Sequence, residues 1–318
     1  MLFKKSENFN IKKILVVSLT NIGDAVLTCP VIDALITRFP LAEISVVVGP
    51  KAKGLFNGNP YIKKVYIFTK KETWFELLWW VKALRKEHFD VVIDLRNTAL
   101  AYLLGAPVHT SALAKKNFSV HKKDQHFVCL KSVFPDIPYS KKRYAISINE
   151  SLREKAENIL RPFMEYSKTY IVIAAGAADF NKRWITAGFA EVCRALMDER
   201  KVPIFFVGDD NDRSYTDGII AKLPRKAVNL CGKTSLLETA WIVRNSILVL
   251  CNDSAIMHLA SYFDVPVVGL FGPTDPGKYG PWGEKSAFVR TTRFNQNGAG
   301  LIDGIDAKDV LKKIKDIF

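Results

Sequence analysis

The feature that most limits what this chain can fold into is an alternation that runs twice. Ile14-Leu15-Val16-Val17, bounded by Lys13 and Thr20-Asn21, reads as a short buried strand, and a helical pattern follows with Val26, Val31, Leu35 and Ile36 on one face. Strands are expected next at Ile44–Val48, Val65–Phe68 and Val91–Leu95, with an amphipathic helix over Trp74–Glu87. From about residue 106 to 143 there are basic clusters and no sustained period. After a charged helix at Ser151–Met164 the alternation restarts with strands at Tyr170–Ala174, Ile204–Val207, Ile247–Leu250 and Val265–Leu270. Helices fall at Phe189–Met197, Leu236–Val243, Ile256–Phe263 and, closing the chain, Ala307–Ile317.

Strand–helix alternation implies parallel sheets covered by helices. Two passes within 318 residues predict an α/β chain of two Rossmann-like domains, 1–155 and 156–318, facing a cleft as the default ligand site. The closing helix is a candidate for packing back on the first domain.

Composition narrows the class. With 48% hydrophobic and 25% charged residues, disordered and collagen-like architectures are excluded. The five cysteines, Cys29, Cys129, Cys193, Cys231 and Cys251, include no CxxC pair, which argues for reduced buried thiols in a cytoplasmic protein, not for a zinc site. Ile14–Val17 is too short for a signal-peptide core, and no stretch approaches the roughly 18 apolar residues of a spanning helix. Membrane contact is therefore expected to be peripheral.

The net charge of +14 is uneven: residues 1–150 carry 23 Lys and Arg against 12 Asp and Glu, a net +11, and residues 151–318 a net +3. A nucleic-acid binder, a protein working on an anionic membrane, and an enzyme with a phosphorylated substrate all fit that sum.

Four segments carry chemistry. Asn21-Ile22-Gly23-Asp24 follows the first strand, where Gly23 permits close backbone approach; Asp24 is either a helix cap or a carboxylate at the crevice. Pro30 predicts a helix that starts late or is kinked. Gly176–Trp184 places Lys182 and Arg183 after the first strand of the second half, as a phosphate contact or as a solvated basic loop beside a packed Trp184. Cys251–Ala260 joins a strand to a helix, with Asp253-Ser254 at the expected N-cap and His258 four residues on. That histidine is structural or catalytic. Val267–Pro276 runs a strand into a Gly/Pro loop that closes over a ligand or simply connects two elements.

Together, KILVVSLTNIGDAVLTCP (Lys13–Pro30), the lysine of NKRW, NDSAIMHLA and GLFGPTDP resemble the ADP-heptose:lipopolysaccharide heptosyltransferases, glycosyltransferase family nine with the GT-B fold. The resemblance implies inverting, metal-independent and cofactor-free transfer of a heptose from a nucleotide-activated donor, ADP-heptose first, to inner-core lipopolysaccharide. It puts the general base on Asp24 and the donor phosphates on Lys182, Asp253, Ser254 and Ala255, with His258 one turn on. The donor ribose contact falls near Asp212. Ala255 stands where the family usually has Gly, and Arg96-Asn97 where Gln-Gly is commoner.

The first-half charge then suits a polyanionic glycolipid at the inner face of the cytoplasmic membrane. Gly23, Lys63, Lys64, Arg96 and Arg143 are candidate acceptor contacts, and Lys51, Lys53, Lys70 and Lys71 are further basic candidates for acceptor or membrane. Trp74, Phe75, Trp79 and Trp80 are expected to pack in the core more than to anchor a membrane. A GT-B transferase or epimerase using another nucleotide sugar would need the same cleft. A non-enzymatic polyanion binder would explain the charge, but no nucleic-acid-reading module is identifiable and nucleic acid is not an expected partner.

Overall fold

The computed structural model describes residues 10–69, 74–111, 120–165, 167–224 and 227–318. The chain forms two compact units, Met1–Ser147 and Ile148–Phe318. The division falls before the first helix of the second unit, whereas the sequence placed it inside that helix, at 155/156.

In the first unit the elements are β1 (Lys13–Val17), α1 (Ile22–Arg38), β2 (Glu43–Val48), β3 (Ile62–Ile67), α2 (Trp74–Arg85), β4 (Val91–Asp94), α3 (Leu100–Leu104), β5 (Val108–His109) and α4 (Lys122–Lys131). All pairings are parallel, in the order β3-β2-β1-β4-β5. Ile14, Leu15, Val16 and Val17 are all buried, as a central strand covered on both faces requires. Pro30 neither delays nor ends α1, which runs through it. Burial of Val26, Leu27, Val31, Ile32 and Leu35 on either side outweighs the one missing N–H donor.

The second unit continues with α5 (Glu150–Leu160), β6 (Ile171–Ala174), α6 (Thr186–Arg200), β7 (Ile204–Phe206), α7 (Arg213–Ile220), β8 (Val228–Asn229), α8 (Leu236–Arg244), β9 (Leu248–Asn252), α9 (Ala255–Tyr262), β10 (Val267–Phe271), α10 (Pro276–Tyr279), β11 (Ser286–Arg290) and α11 (Ala307–Ile317). Its sheet is also parallel, ordered β11-β10-β9-β6-β7-β8. α5 packs on α8, which assigns it to this unit. α11 packs on α6, β10 and β11 of the same unit, where the sequence allowed it to reach the first domain; Val310 and Ile314 carry that contact into the core.

Each sheet therefore reverses direction once, between β1 and β4 in the first unit and between β6 and β9 in the second. Ligands of open α/β sheets bind outside the carboxyl ends of the strands at such a reversal.

One packing expectation fails. Trp80, with Val81, packs against the core through Leu84 and Phe68, but Phe75 and Trp79 on the same helix are exposed. α2 is apolar on two faces and the core covers one of them. The Trp74 side chain, like Lys70 and Lys71, lies outside the described residues.

Candidate functional site

At the reversal of the second unit, the loops after β6 and β9 are tied together by one buried side chain. The Asn252 amide donates to the Ala175 carbonyl at 2.6 Å, and its oxygen accepts from the Trp184 N–H at 3.2 Å. Trp184 is fully buried, its indole N–H donating to the Ile305 carbonyl at 3.1 Å while its own carbonyl accepts from the Tyr215 hydroxyl. The segment carrying Lys182 is thus fixed just beyond that lysine.

Lys182 itself ends a short 3₁₀ turn, Phe180–Lys182, capped by Asp179. Its ammonium donates to Asp253 at 2.7 Å, with the lysine partly exposed and the aspartate nearly buried.

Asp253 leads into α9. Ser254 occupies the N-cap position with extended backbone, yet its side chain makes no capping hydrogen bond, and its hydroxyl oxygen is buried without a partner. The first N–H groups of a helix have no intrahelical acceptor, and here the residue placed to take one does not. Ala255 is the first helical residue. One turn on, the buried His258 ring lies nearly parallel to Trp282, 5.7 Å between centroids and 25° between planes. The structure thus brings together Lys182, Asp253, Ser254, Ala255 and His258. A lysine, a helix start without its side-chain cap, and a buried hydroxyl form an arrangement for phosphate oxygens.

Asp212 has another occupation. One carboxylate oxygen accepts from Arg183 at 2.9 Å, and the other from the Asp209 N–H at 3.1 Å, completing a capping box. It lies so close to the loop after β6 that a Cβ on Gly176 would fall 2.1 Å from its carboxyl carbon. Burial pushes the Asp212 carboxyl above its ordinary value, and neighbouring Asp209 adds to this; the Asp209 N–H and Arg183 pull it back. Arg183 also donates to the Ala177 carbonyl at 2.9 Å and lies over the Phe180 ring at 4.5 Å. The Arg183–Asp212 pair braces the loops after β6 and β7, at the residue where the resemblance implies the donor ribose contact.

The loop after β10 is held in a similar way. Asp275 caps α10 through the Gly277 N–H at 2.9 Å, and a Cβ on Gly272 would come within 2.8 Å of the Ile302 Cβ.

At the reversal of the first unit, Gly23 and Asp24 lie in the first turn of α1, and the N-cap is Asn21. The Asn21 amide donates to Asp24 at 3.1 Å. Asp24 is therefore not the cap; it is a half-buried carboxylate in the first turn, where the helix field favours negative charge.

Across the reversal, the buried Asp94 folds the loop after β4 around itself. It accepts from the N–H groups of Arg96 and Thr98 at 2.9 and 3.0 Å and from the Thr98 hydroxyl at 2.5 Å. Asn97 takes a positive φ of 56° in that turn. Arg96 lies over Phe68 at 4.1 Å; partial burial lowers its pKa against the pull of Asp94, and it stays a cation at neutral pH.

The remaining acceptor candidates are elsewhere. Lys63 and Lys64 lie in the amino half of β3, paired with Glu43 and Glu87 at 2.9 Å each. Arg143 is exposed beside Tyr144 and Ala145, whose N–H groups donate to Asp33 in the later half of α1. Asn59, just before β3, donates to the Tyr144 and Ala145 carbonyls, which fixes this segment at the amino end of the sheet. These three residues are not at the carboxyl ends that carry Asp24 and Arg96. Lys51 and Lys53 are, in the exposed positions of the 3₁₀ turn after β2.

Sequence reasoning missed Asn252, Asp94 and the Arg183–Asp212 pair. Asn252 and Asp94 each close a buried apolar run, and a polar residue at the carboxyl end of a central strand was the available signal. Among the described residues no three His, Cys, Asp or Glu side chains gather as a metal site would, and no helix is long and apolar enough to cross a membrane.

A family model described as glycosyltransferase family 9 (heptosyltransferase) matches residues 78–299. The lipooligosaccharide heptosyltransferase 2 of Haemophilus influenzae is 25% identical over 308 residues, covering 87% of this chain and 88% of that one. A solved family 9 glycosyltransferase from Veillonella parvula superposes with a TM-score of 0.81 at 23% identity, covering 96% of this chain and 97% of its own. The E. coli heptosyltransferase WaaC with ADP does so with a TM-score of 0.73 at 19% identity, covering 96% and 100%.

Proposed function

This chain belongs to glycosyltransferase family 9, and from that premise we propose that it moves a heptose from ADP-heptose to the inner core of lipopolysaccharide. The observation that carries the reading is the reversal in the second unit, where Lys182 and the Ser254 helix start converge with a buried hydroxyl that has no partner. The E. coli relative that superposes on this chain was solved with ADP, which supports an adenine nucleotide as the leaving group.

In this reading the acceptor hydroxyl oxygen attacks the anomeric carbon as the bond to the donor phosphate breaks. The electron pair leaves on ADP. Negative charge grows on the phosphate oxygens, where Lys182, the N–H groups of Ala255 and Ile256, the Ser254 hydroxyl and His258 lower its energy without a metal ion. The acceptor proton passes to Asp24. A single displacement inverts the anomeric configuration. The division of labour follows: residues 1–147 hold the acceptor and residues 148–318 the donor. Gly23 and Arg96, beside Asp24 at the reversal of the first sheet, are the acceptor contacts, with Lys51 and Lys53 as a basic approach. The enzyme works at the inner face of the cytoplasmic membrane, where such an acceptor is anchored.

The test separates chemistry from donor binding. Asp24→Asn keeps volume and removes the base, so transfer in excess chelator is expected to fall about 10²–10⁴-fold while ADP affinity is unchanged. Turnover within about tenfold of the parent would remove Asp24 from the chemistry, and loss of parent activity in chelator would overturn the metal-free mechanism.

A further inference from the structure

α2 carries a second apolar face that the fold leaves in water. Phe75, Leu78 and Trp79 are 60%, 52% and 69% exposed, and with Lys82 they follow the spacing of a single helical stripe. The opposite side of the helix, Trp80, Val81 and Leu84, is the one on the core. α3 packs beside α2 and adds Tyr102 and Leu103, 49% and 53% exposed, while its Leu100, Ala101 and Leu104 are buried. Five large apolar side chains are exposed on two adjoining helices, more than scattered surface exposure provides.

The border of this face is basic. The Lys82 ammonium sits 5.2 Å above the Trp79 ring, and Trp79, Lys82, Ala83, Lys86 and Glu87 line a groove of about 390 Å³. Arg85 is exposed beside them, and Glu87 is already paired with Lys64.

We propose that this α2–α3 face docks on an anionic bilayer; the proposal rests on the reading of a membrane-anchored acceptor and assigns the surface that meets the membrane. Two observations select a bilayer. Large aromatic and aliphatic side chains bordered by lysines with long apolar stems are what an interface with lipid headgroups takes up. The half of the chain that carries the face has a net charge of +11, complementary to an anionic leaflet. α2 starts after the carboxyl end of β3 and runs back along the sheet, so the face extends from Phe75 near the ligand loops to the amino end, where Glu87 meets Lys64. A second copy of the chain is disfavoured, because a two-fold contact here would set Lys82, Arg85 and Lys86 against their own equivalents.

The experiment is sedimentation of the full chain with phosphatidylglycerol-rich vesicles and with vesicles of phosphatidylcholine alone. Binding is expected to the anionic vesicles, to weaken with salt, and to fall at least about tenfold in Phe75→Ser/Trp79→Glu. Lys82→Glu/Lys86→Glu, which touches no core residue, is expected to lose about tenfold or more and serves if the first variant misfolds. Both variants are expected to keep parent turnover on a water-soluble, deacylated acceptor and to lose turnover on acceptor embedded in vesicles.

Parent-like vesicle binding by both variants overturns the proposal. So does a parent chain that ignores anionic vesicles and instead forms a dimer that Phe75→Ser/Trp79→Glu abolishes. Vesicle binding that depends on this face in a chain that transfers no heptose leaves the docking surface standing and overturns the proposed activity instead.

Discussion

Asn252 offers the sharpest test of how the second reversal is built. Its side chain is wholly buried and bridges two backbone groups, the Ala175 carbonyl at 2.6 Å and the Trp184 N–H at 3.2 Å. Both of those residues are themselves buried. Asn252→Ala orphans a buried acceptor and a buried donor together, at about 1–3 kcal/mol each, so a loss of roughly 2–6 kcal/mol in unfolding free energy is expected. Asn252→Asp keeps the volume and the acceptor for Trp184, but sets a carboxylate oxygen against the Ala175 carbonyl, and it is expected to cost at least as much. Because the bridge fixes the segment bearing Lys182 against the start of α9, ADP affinity is expected to fall about tenfold or more in both variants. Urea unfolding followed by circular dichroism gives the first quantity and titration calorimetry with ADP the second. A loss below about 0.5 kcal/mol with unchanged ADP affinity would refute the reasoning, since no buried pair would then depend on the bridge.

Lys182→Ala removes a charge-assisted contact to phosphate and leaves Asp253 facing it, so ADP binding is expected to weaken roughly 10- to 100-fold; equal affinity by calorimetry would exclude the lysine from the donor site. Burial pushes the Cys231 thiol up to about 11 and Cys193 up to about 12 from 9.0. A pKa raised on folding gives stability that is complete below the unfolded value and lost as pH rises through the folded one. Each thiol is therefore expected to cost about 1.4 kcal/mol per pH unit above about pH 9, and Cys193→Ala should flatten the fall in the urea midpoint. An unchanged slope would contradict this. Lys51→Glu/Lys53→Glu is expected to raise the acceptor KM several-fold more than Lys63→Glu/Lys64→Glu does, and equal effects would mean that position in the sheet is irrelevant to acceptor capture.

The architecture was legible because its signal is redundant. A buried parallel strand needs a short, nearly continuous apolar run; Ile14–Val17 and Ile171–Ala174 supply four residues each, Val46–Val48 and Val91–Ile93 three. Edge elements give no such run. β5 and β8 have two residues each, and β11 alternates exposure with only Val289 buried, so none announces itself. α3 has only five residues, too few for a period, and α4, in the stretch from 106 to 143, is a mostly polar helix with few buried positions.

The position of the candidate residues was legible from strand order: Asp24, Lys182 and Ser254 follow β1, β6 and β9, the strands beside the two reversals. The site was illegible where a polar residue's partner is distant in sequence. Nothing near Asp212 says that Arg183 will take its carboxylate, and nothing near Trp79 says that Trp80 instead of Trp79 will turn to the core.

The basic excess of the first half shows why position outranks sum. A parallel sheet has one end that carries ligand loops and one that does not. Lys63 stands four residues short of the carboxyl end of β3, about 13 Å at 3.3 Å per residue, and its charge is already opposed by Glu43. At physiological ionic strength the screening length is about 8 Å, so an exposed charge that far away contributes only weakly to capture at the crevice. Arg143 is at that same remote end. Lys51, Lys53 and Arg96 follow β2 and β4 directly and lie within the loops that meet a ligand. Three groups stand out within the net +11: paired lysines along the amino end of the sheet, a few cations at its carboxyl end, and the lysines bordering the apolar face of α2. In the proposed reading the second would receive the sugars of a phosphorylated glycolipid and the third would meet the membrane in which its lipid sits.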